Sequence, residues 1–234
     1  RTGALPLLLR ALLAETAIPW LRLFYMYPSG ITRELVELMA TESRVVPYLD
    51  MPIQHGSDAV LQRMRRPERN ATIRERVAWL REALPDVALR TTVIIGFPGE
   101  TEDDFERLVA LLEEIGFDHV GVFAYSVEEG TAAAAMTDLV ADSLVRERVE
   151  RVEELQRSIG LERNEAWVGR ETMALIDRWL GDERGEAAEG RTPRQALEVD
   201  GTVLVRGAGG VRPGEFTRIR IVEAQEQDVI AVVV

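Results

Sequence analysis

The sequence runs to 234 residues, with 28 Arg against 40 Asp and Glu for a net charge of −12, and it contains neither lysine nor cysteine. Without cysteine it has no disulfide, no thiolate nucleophile and no cysteine-ligated metal or iron–sulfur centre of its own, and its two histidines, His55 and His119, lie too far apart in sequence to suggest a His-based metal site. The acidic balance does not attract phosphate backbones, no apolar run approaches the ~18–20 residues of a membrane span, and Arg1-Thr2-Gly3 shows no signal-peptide pattern, so the cytoplasm is the expected compartment.

In chain order, Leu5–Leu13 reads as a leucine-rich helix ending before Pro19. Trp20–Tyr25 has the composition of a strand, halted at Tyr27-Pro28-Ser29-Gly30. Thr32 is placed to cap a helix to about Met39, with Leu35, Val36, Leu38 and Met39 at helical spacing. Val46–Ile53 is the next strand, with Gln54-His55-Gly56-Ser57 at its exit and Ser57 positioned to cap a short helix through Met64. Thr72 and Glu75 fit a capping box for Ile73–Leu84, which Pro85 ends. The run Thr91–Glu100, TTVIIGFPGE, follows. Its β-branched core reads as a strand buried on both faces, and Gly96-Phe97-Pro98-Gly99 forces a turn. Thr101 and Asp104 form a capping box for Thr101–Ile115, and Asp118–Tyr125 is a fourth strand.

Strand–helix alternation with short connections is the signature of βα units and a parallel sheet. A closed eight-stranded barrel needs about 250 residues, so four strands make either a small open sheet or the later part of a barrel. A helix at Leu5–Leu13, ahead of any strand, favours the second reading. Ser143–Glu165 is a long charged helix, apolar at Leu144, Val145, Val149, Val152, Leu155, Ile159 and Leu161, whose spacing makes one stripe. After Gly169 come five short β runs, Glu171–Asp177, Gln195–Val199, Thr202–Val205, Phe216–Val222 and Val229–Val234, separated by glycine turns. They suggest a small barrel of the OB type. The expected class is α/β: a partial, open parallel barrel over 1–140, a linking helix over 141–168 and an all-β barrel over 169–234.

In a parallel sheet the exits at Gln54, Gly96 and Tyr125 share one edge, where α/β folds bind ligands. Gln54 can fix a ribose or an amino-acid carboxylate, or satisfy its own loop. His55 has no visible partner, which favours a structural hydrogen bond over acid–base work. Arg90 and Thr92 alternate toward the barrel interior, where a buried Arg needs a ligand carboxylate or a salt bridge. The turn at Gly96 and Gly99 offers backbone N–H groups at a helix start. Glu100 has two readings, anchoring a ligand amine or capping its own helix dipole. GxSxG is absent, GFPGET lacks a P-loop lysine, and no paired catalytic carboxylates stand out. The terminal barrel holds 9 Arg against 12 Asp and Glu and only Trp179 and Phe216 as aromatics, a poor surface for nucleic acid.

Three stretches, YLDMPIQHGSDAVLQRMRRP, LRTTVIIGFPGETEDDF and FDHVGVFAYSVEEGTAA, together resemble the radical S-adenosylmethionine methylthiotransferases. The tail barrel resembles that family's TRAM domain. Gln54-His55 and Arg65-Arg66-Pro67 are similar to the branch that modifies the twelfth small-subunit ribosomal protein; the tRNA-modifying branch usually reads Gln-Ser here and has a more basic TRAM domain. The resemblance implies a partial radical SAM barrel and transfer of a methylthio group to the β-carbon of an aspartate. It also implies S-adenosylmethionine as cofactor and two 4Fe-4S clusters in the full-length parent, none ligated by this chain. The cluster cysteines belong upstream of Arg1 in the family layout, so the chain is expected to be inactive alone. By motif match Gln54, Arg90, Thr92, Ile95 and Phe123 border the methionine and adenosine parts of the cofactor, with Gly96, Gly99 and Glu100 in the same cofactor set. The implied partner is the ribosomal protein, through residues 169–234, rather than nucleic acid or a membrane. Two rivals remain: a tRNA adenosine methylthiotransferase, and a non-catalytic module that docks on ribosomes.

Overall fold

Successive strands separated by helices pair in parallel when every crossover returns the chain to the same end of the sheet. The computed structural model, which describes residues 3–181 and 186–234, shows that arrangement in the first of two units, Arg1–Gln156 and Arg157–Val234. β1 (Leu21–Leu23), β2 (Val45–Asp50), β3 (Ala88–Ile95) and β4 (His119–Ala124) form one sheet in chain order, all parallel. Helix α1 (Ala4–Glu15) precedes them; α2 (Arg33–Thr41), α3 (Asp58–Arg63), α4 (Asn70–Ala83) and α5 (Glu102–Ile115) fill the crossovers. Sequential order without reversal is the winding of a barrel segment, as expected.

The core lies between sheet and helices, where Leu49, Ile73, Leu80, Ile95, Phe105 and Leu108 are fully enclosed. β3 is not covered on both faces. Leu89, Thr91, Val93 and Ile95 are buried under the helices, while Arg90, Thr92 and Ile94 alternate onto a half-open face. Parallel register puts Asp50 beside Arg90, and Arg90, Thr92 and Ile94 beside His119, Gly121 and Phe123.

Helix starts follow side-chain competition. Thr101 and Asp104 make both arms of the capping box on α5. The box expected at Thr72 and Glu75 does not form. Helix α4 starts at Asn70, whose backbone N–H donates to Asp58 Oδ1 at 2.7 Å. Ser57 does not cap α3; its hydroxyl donates to Asp104 Oδ1 at 2.5 Å.

Helix α6 (Asp142–Glu165) places Val145, Val149, Val152 and Leu155 on the first unit's core, and Gln156 Nε2 donates to the carbonyls of Phe117 and Asp118 at 3.2 Å. In the second unit β5 (Glu171–Leu180), β6 (Ala187–Arg191), β7 (Val203–Arg206), β8 (Phe216–Ala224) and β9 (Val229–Val233) close a barrel in the order β5-β6-β7-β9-β8. Only β7 and β9 pair in parallel. The expected strand at Gln195–Val199 is a turn. Gln195 Oε1 accepts from the backbone and hydroxyl of Thr192, Asp200 takes the Ala196 N–H, and Glu198 has φ of 61°. The fifth strand is β6, where Gly190 leaves room for the Leu175 carbonyl, 2.5 Å from where a Cβ would stand. No helix among the described residues is long and apolar enough to cross a membrane.

Candidate functional site

A carboxylate ending an apolar strand must find charge or donors, and Asp50, buried at the end of β2, finds both. Its Oδ1 takes Arg90 Nη1 at 3.0 Å and its Oδ2 takes the Tyr25 backbone N–H at 3.1 Å. Arg90 also reaches Thr92 Oγ1 at 3.3 Å. Of the two options open to Arg90, the salt bridge is present. On the same face the Arg22 guanidinium lies 4.7 Å from the Tyr48 ring centre. A methyl group at Gly121 would touch Arg90, Thr92 and Phe123, each at 3.4 Å. The glycine therefore leaves a bare floor between a polar pair and the Phe123 ring, which is 58% exposed.

At the β2 exit the backbone is strained. Gln54 has φ of 68°, a conformation that L-residues rarely take. It is held there by ladder bonds on both sides: its N–H donates to the Thr92 carbonyl, and its carbonyl accepts from the Ile94 N–H, both at 2.9 Å. Its side chain lines a pocket of about 160 Å³ with Tyr25, Met26, Tyr27, Pro52 and Arg66.

The turn after β3 is built differently. Gly96 and Gly99 both have φ of 77°. A Cβ at Gly96 would stand 2.5 Å from a Val145 methyl, and one at Gly99 would run into the Asp138 carboxylate. The Gly96 N–H donates to Glu100 Oε2 at 2.9 Å, Gly99 N–H to the Asp138 carbonyl at 2.7 Å and Glu100 N–H to the Phe97 carbonyl at 2.9 Å. Glu100, with its carboxylate fully enclosed, also takes Arg148 Nη1 at 2.7 Å and lies 3.3 Å from His55 Nε2. His55 Nδ1 accepts the Ser57 N–H at 2.9 Å, which leaves Nε2 as the ring N–H that donates to Glu100. Below the turn, burial opposes ionisation of Asp104, but hydrogen bonds from the Ser57 hydroxyl and from the N–H and hydroxyl of Thr101, with the Arg63 charge, hold its pKa below the usual carboxylate value.

The expected site residues therefore separate. Arg90, Thr92 and Phe123 share the half-open face, and Gln54 stands in the pocket at its edge. Ile95 points the other way, into the helix-side core, because β3 alternates. At Gly96, Gly99 and Glu100 the backbone N–H groups and the Glu100 carboxylate are all committed within the protein, so these three residues present no bare donor. Gly96 and Tyr125 line a second pocket of about 290 Å³ with Leu139, Val145 and Arg146. The Tyr125 hydroxyl is buried and has no hydrogen-bond partner among the described residues. Asp50, Arg148 and Tyr25 were missed. A lone acid ending an apolar strand was the available signal for Asp50; Arg148 is one of many charges on its helix and gave none.

Residues 4–112 match the family model of the radical SAM superfamily, and residues 168–234 match that of the TRAM domain. The ribosomal protein uS12 methylthiotransferase RimO of Geobacter sulfurreducens is 42% identical over 231 residues, which is 99% of this chain and 51% of that protein. Its namesake from Desulforudis audaxviator is 45% identical over 224 residues, 96% of this chain and 49% of that protein. The chain spans about half the length of the curated relatives it matches. Among solved structures, coproporphyrinogen III oxidase (HemN) from Escherichia coli matches with a TM-score of 0.57 at 14% identity, over 82% of this chain and 50% of that one, a likeness of fold.

Proposed function

Because the chain belongs to the radical S-adenosylmethionine methylthiotransferase family, we propose that it is part of an enzyme that places a methylthio group on the β-carbon of an aspartate in ribosomal protein uS12. The observation that carries this reading is 40–45% identity, over nearly the whole chain, to proteins named for that activity.

The half-open face fits S-adenosylmethionine in its chemistry. Gly121 leaves space for a flat ring beside Phe123. Gln54 offers an amide to a ribose or to the amino-acid carboxylate, and Arg90, oriented by Asp50 and Thr92, gives the face a fixed polar centre. Ile95, Gly96, Gly99 and Glu100 act from behind, as the braced turn that holds β3 in place. When bound, S-adenosylmethionine supplies the radical chemistry of the family. An iron–sulfur cluster does not fit these residues, since the sequence holds no cysteine; the reading assigns the ligands of both clusters to parts of the parent outside this chain.

The reading keeps three parts: the partial barrel over 1–140, the helix over 141–168 and the TRAM barrel over 169–234, with the last docking the ribosomal protein. Its negative balance suits a basic protein partner better than RNA. The test is binding of this chain to purified uS12 and to tRNA across a salt series. The expected result is measurable uS12 binding and weak tRNA binding; tight tRNA binding with a steep salt slope would transfer the assignment to tRNA adenosine. A reading frame around this chain that encodes no CxxxCxxC would leave a non-catalytic docking module.

A further inference from the structure

The pocket at the exits of β1 and β2 holds about 160 Å³, below the roughly 300 Å³ at which pockets for whole small molecules begin. It is the size of a side-chain socket. Its cation is Arg66, whose guanidinium lies 5.2 Å from the Tyr27 ring centre. Among the described residues no carboxylate comes within ion-pair distance of Arg66, in a protein with 40 acids for 28 arginines. Arg65 and Arg69 beside it also have no ion pair among the described residues, whereas Arg63 pairs with Asp104, Arg74 with Glu114, Arg76 with Glu75 and Arg90 with Asp50; of the three without one, Arg66 alone lines the pocket. A guanidinium held by a ring rather than by an acid retains its donors for a planar anion.

Two further features mark the pocket. Four non-glycine residues among those described have positive φ, and three of them, Tyr25, Gln54 and Arg65, line it or adjoin Arg66. Left-handed backbone at non-glycine positions costs about 1–3 kcal/mol each and collects where geometry matters. The walls are also exposed aromatics: Tyr25 is 80% and Tyr27 54% accessible, both at the rim, with Pro52 and the Gln54 amide completing the lining. Rings with polar tips suit an extended peptide that must be gripped and released.

We propose that this pocket is the substrate-carboxylate socket: Arg66 takes the side-chain carboxylate of the target aspartate while Tyr25 and Tyr27 flank the peptide that carries it. The proposal rests on the function given above. Gripping the carboxylate fixes the β-carbon, one bond away, which is the atom to be modified. An asparagine at the target position would leave the guanidinium without its counter-charge, so the socket also gives specificity.

The test measures fluorescence anisotropy of dye-labelled peptides on this chain, comparing wild type with Arg66→Gln and Arg66→Lys. Circular dichroism and melting confirm that each variant folds. One peptide carries the uS12 target loop, a second the same loop with its aspartate changed to asparagine, and a third pair is scrambled around the same central residue. Wild type should prefer the aspartate loop by about ten- to hundredfold. Arg66→Gln should abolish that preference without further loss on the asparagine loop, and Arg66→Lys should restore part of it. Equal binding of the aspartate and asparagine loops by wild type overturns the socket and leaves the uS12 reading standing. Arg66-dependent preference seen with scrambled peptides but not with the uS12 loop upholds the socket and sinks the uS12 reading. No binding of any peptide overturns both. An Arg66→Gln defect confined to S-adenosylmethionine binding also overturns the socket.

Discussion

Two strand exits stand on the same edge of one parallel sheet: Gln54 after β2 and Gly96 after β3. The Gly96 exit uses two glycines for its left-handed turns and commits the amides of Gly96, Gly99 and Glu100 and its one carboxylate internally, under a clamp of Arg148 and His55. The Gln54 exit takes a left-handed conformation without glycine, opens into a pocket and keeps an arginine that has no acid partner among the described residues. One exit is a joint and the other a socket. The difference teaches that a glycine-rich turn at a strand end marks close packing as readily as ligand contact, whereas strain at a residue that retains its side chain points to use.

The largest expected effect tests the joint. Arg148→Ala leaves the Glu100 carboxylate enclosed without its cation and should cost about 3–5 kcal/mol, read from chemical denaturation. A loss under about 1 kcal/mol would show that the clamp is not what closes the turn. Next, Gly96→Ala should cost about 1–3 kcal/mol, because φ is positive and the new methyl meets Val145. Adding Val145→Ala should return part of that loss; strict additivity would place the cost in the backbone alone.

A smaller effect of opposite sign is expected at the socket. Gln54→Gly should leave stability unchanged or raise it by up to about 1 kcal/mol, since strain is relieved while the unfolded chain gains freedom. The same variant should bind the aspartate peptide more weakly. A clear destabilisation would make Gln54 a structural residue like those of the other exit.

The smallest effect is a pH dependence under the joint. The folded pKa of Asp104 lies below its ordinary 3.8, so its contribution is complete above that value and is lost as pH falls through the lowered folded pKa. Asp104→Asn should therefore reduce stability at neutral pH and flatten the acid limb of a urea-denaturation series below pH of about 4. Asp177 provides the contrast in the second unit. Burial, only partly offset by Arg191, raises its pKa, so its contribution is present at low pH and is lost as pH rises through the raised value. A shift of the acid limb in the same direction for Asp104→Asn and Asp177→Asn would contradict these assignments.

By itself the sequence determined the βα alternation, the capping box at Thr101 and Asp104, the small β-rich tail and the absence of cluster ligands, because these depend on periodicity, short-range hydrogen bonds and composition. It also carried the family motifs. Tertiary structure alone decided which face of β3 stays open, so Arg90 and Thr92 reach the open face while Ile95 joins the core. It alone brought Arg148 to Glu100 across 48 residues and set Arg66 beside Tyr27, with no carboxylate of the described residues at ion-pair distance. The turn at Gln195 and the strand at β6 were likewise settled by which side chains and backbone groups came within reach. The physical reason is range: pattern and capping act within a few residues, whereas burial and charge pairing are set by neighbours that only the completed fold supplies.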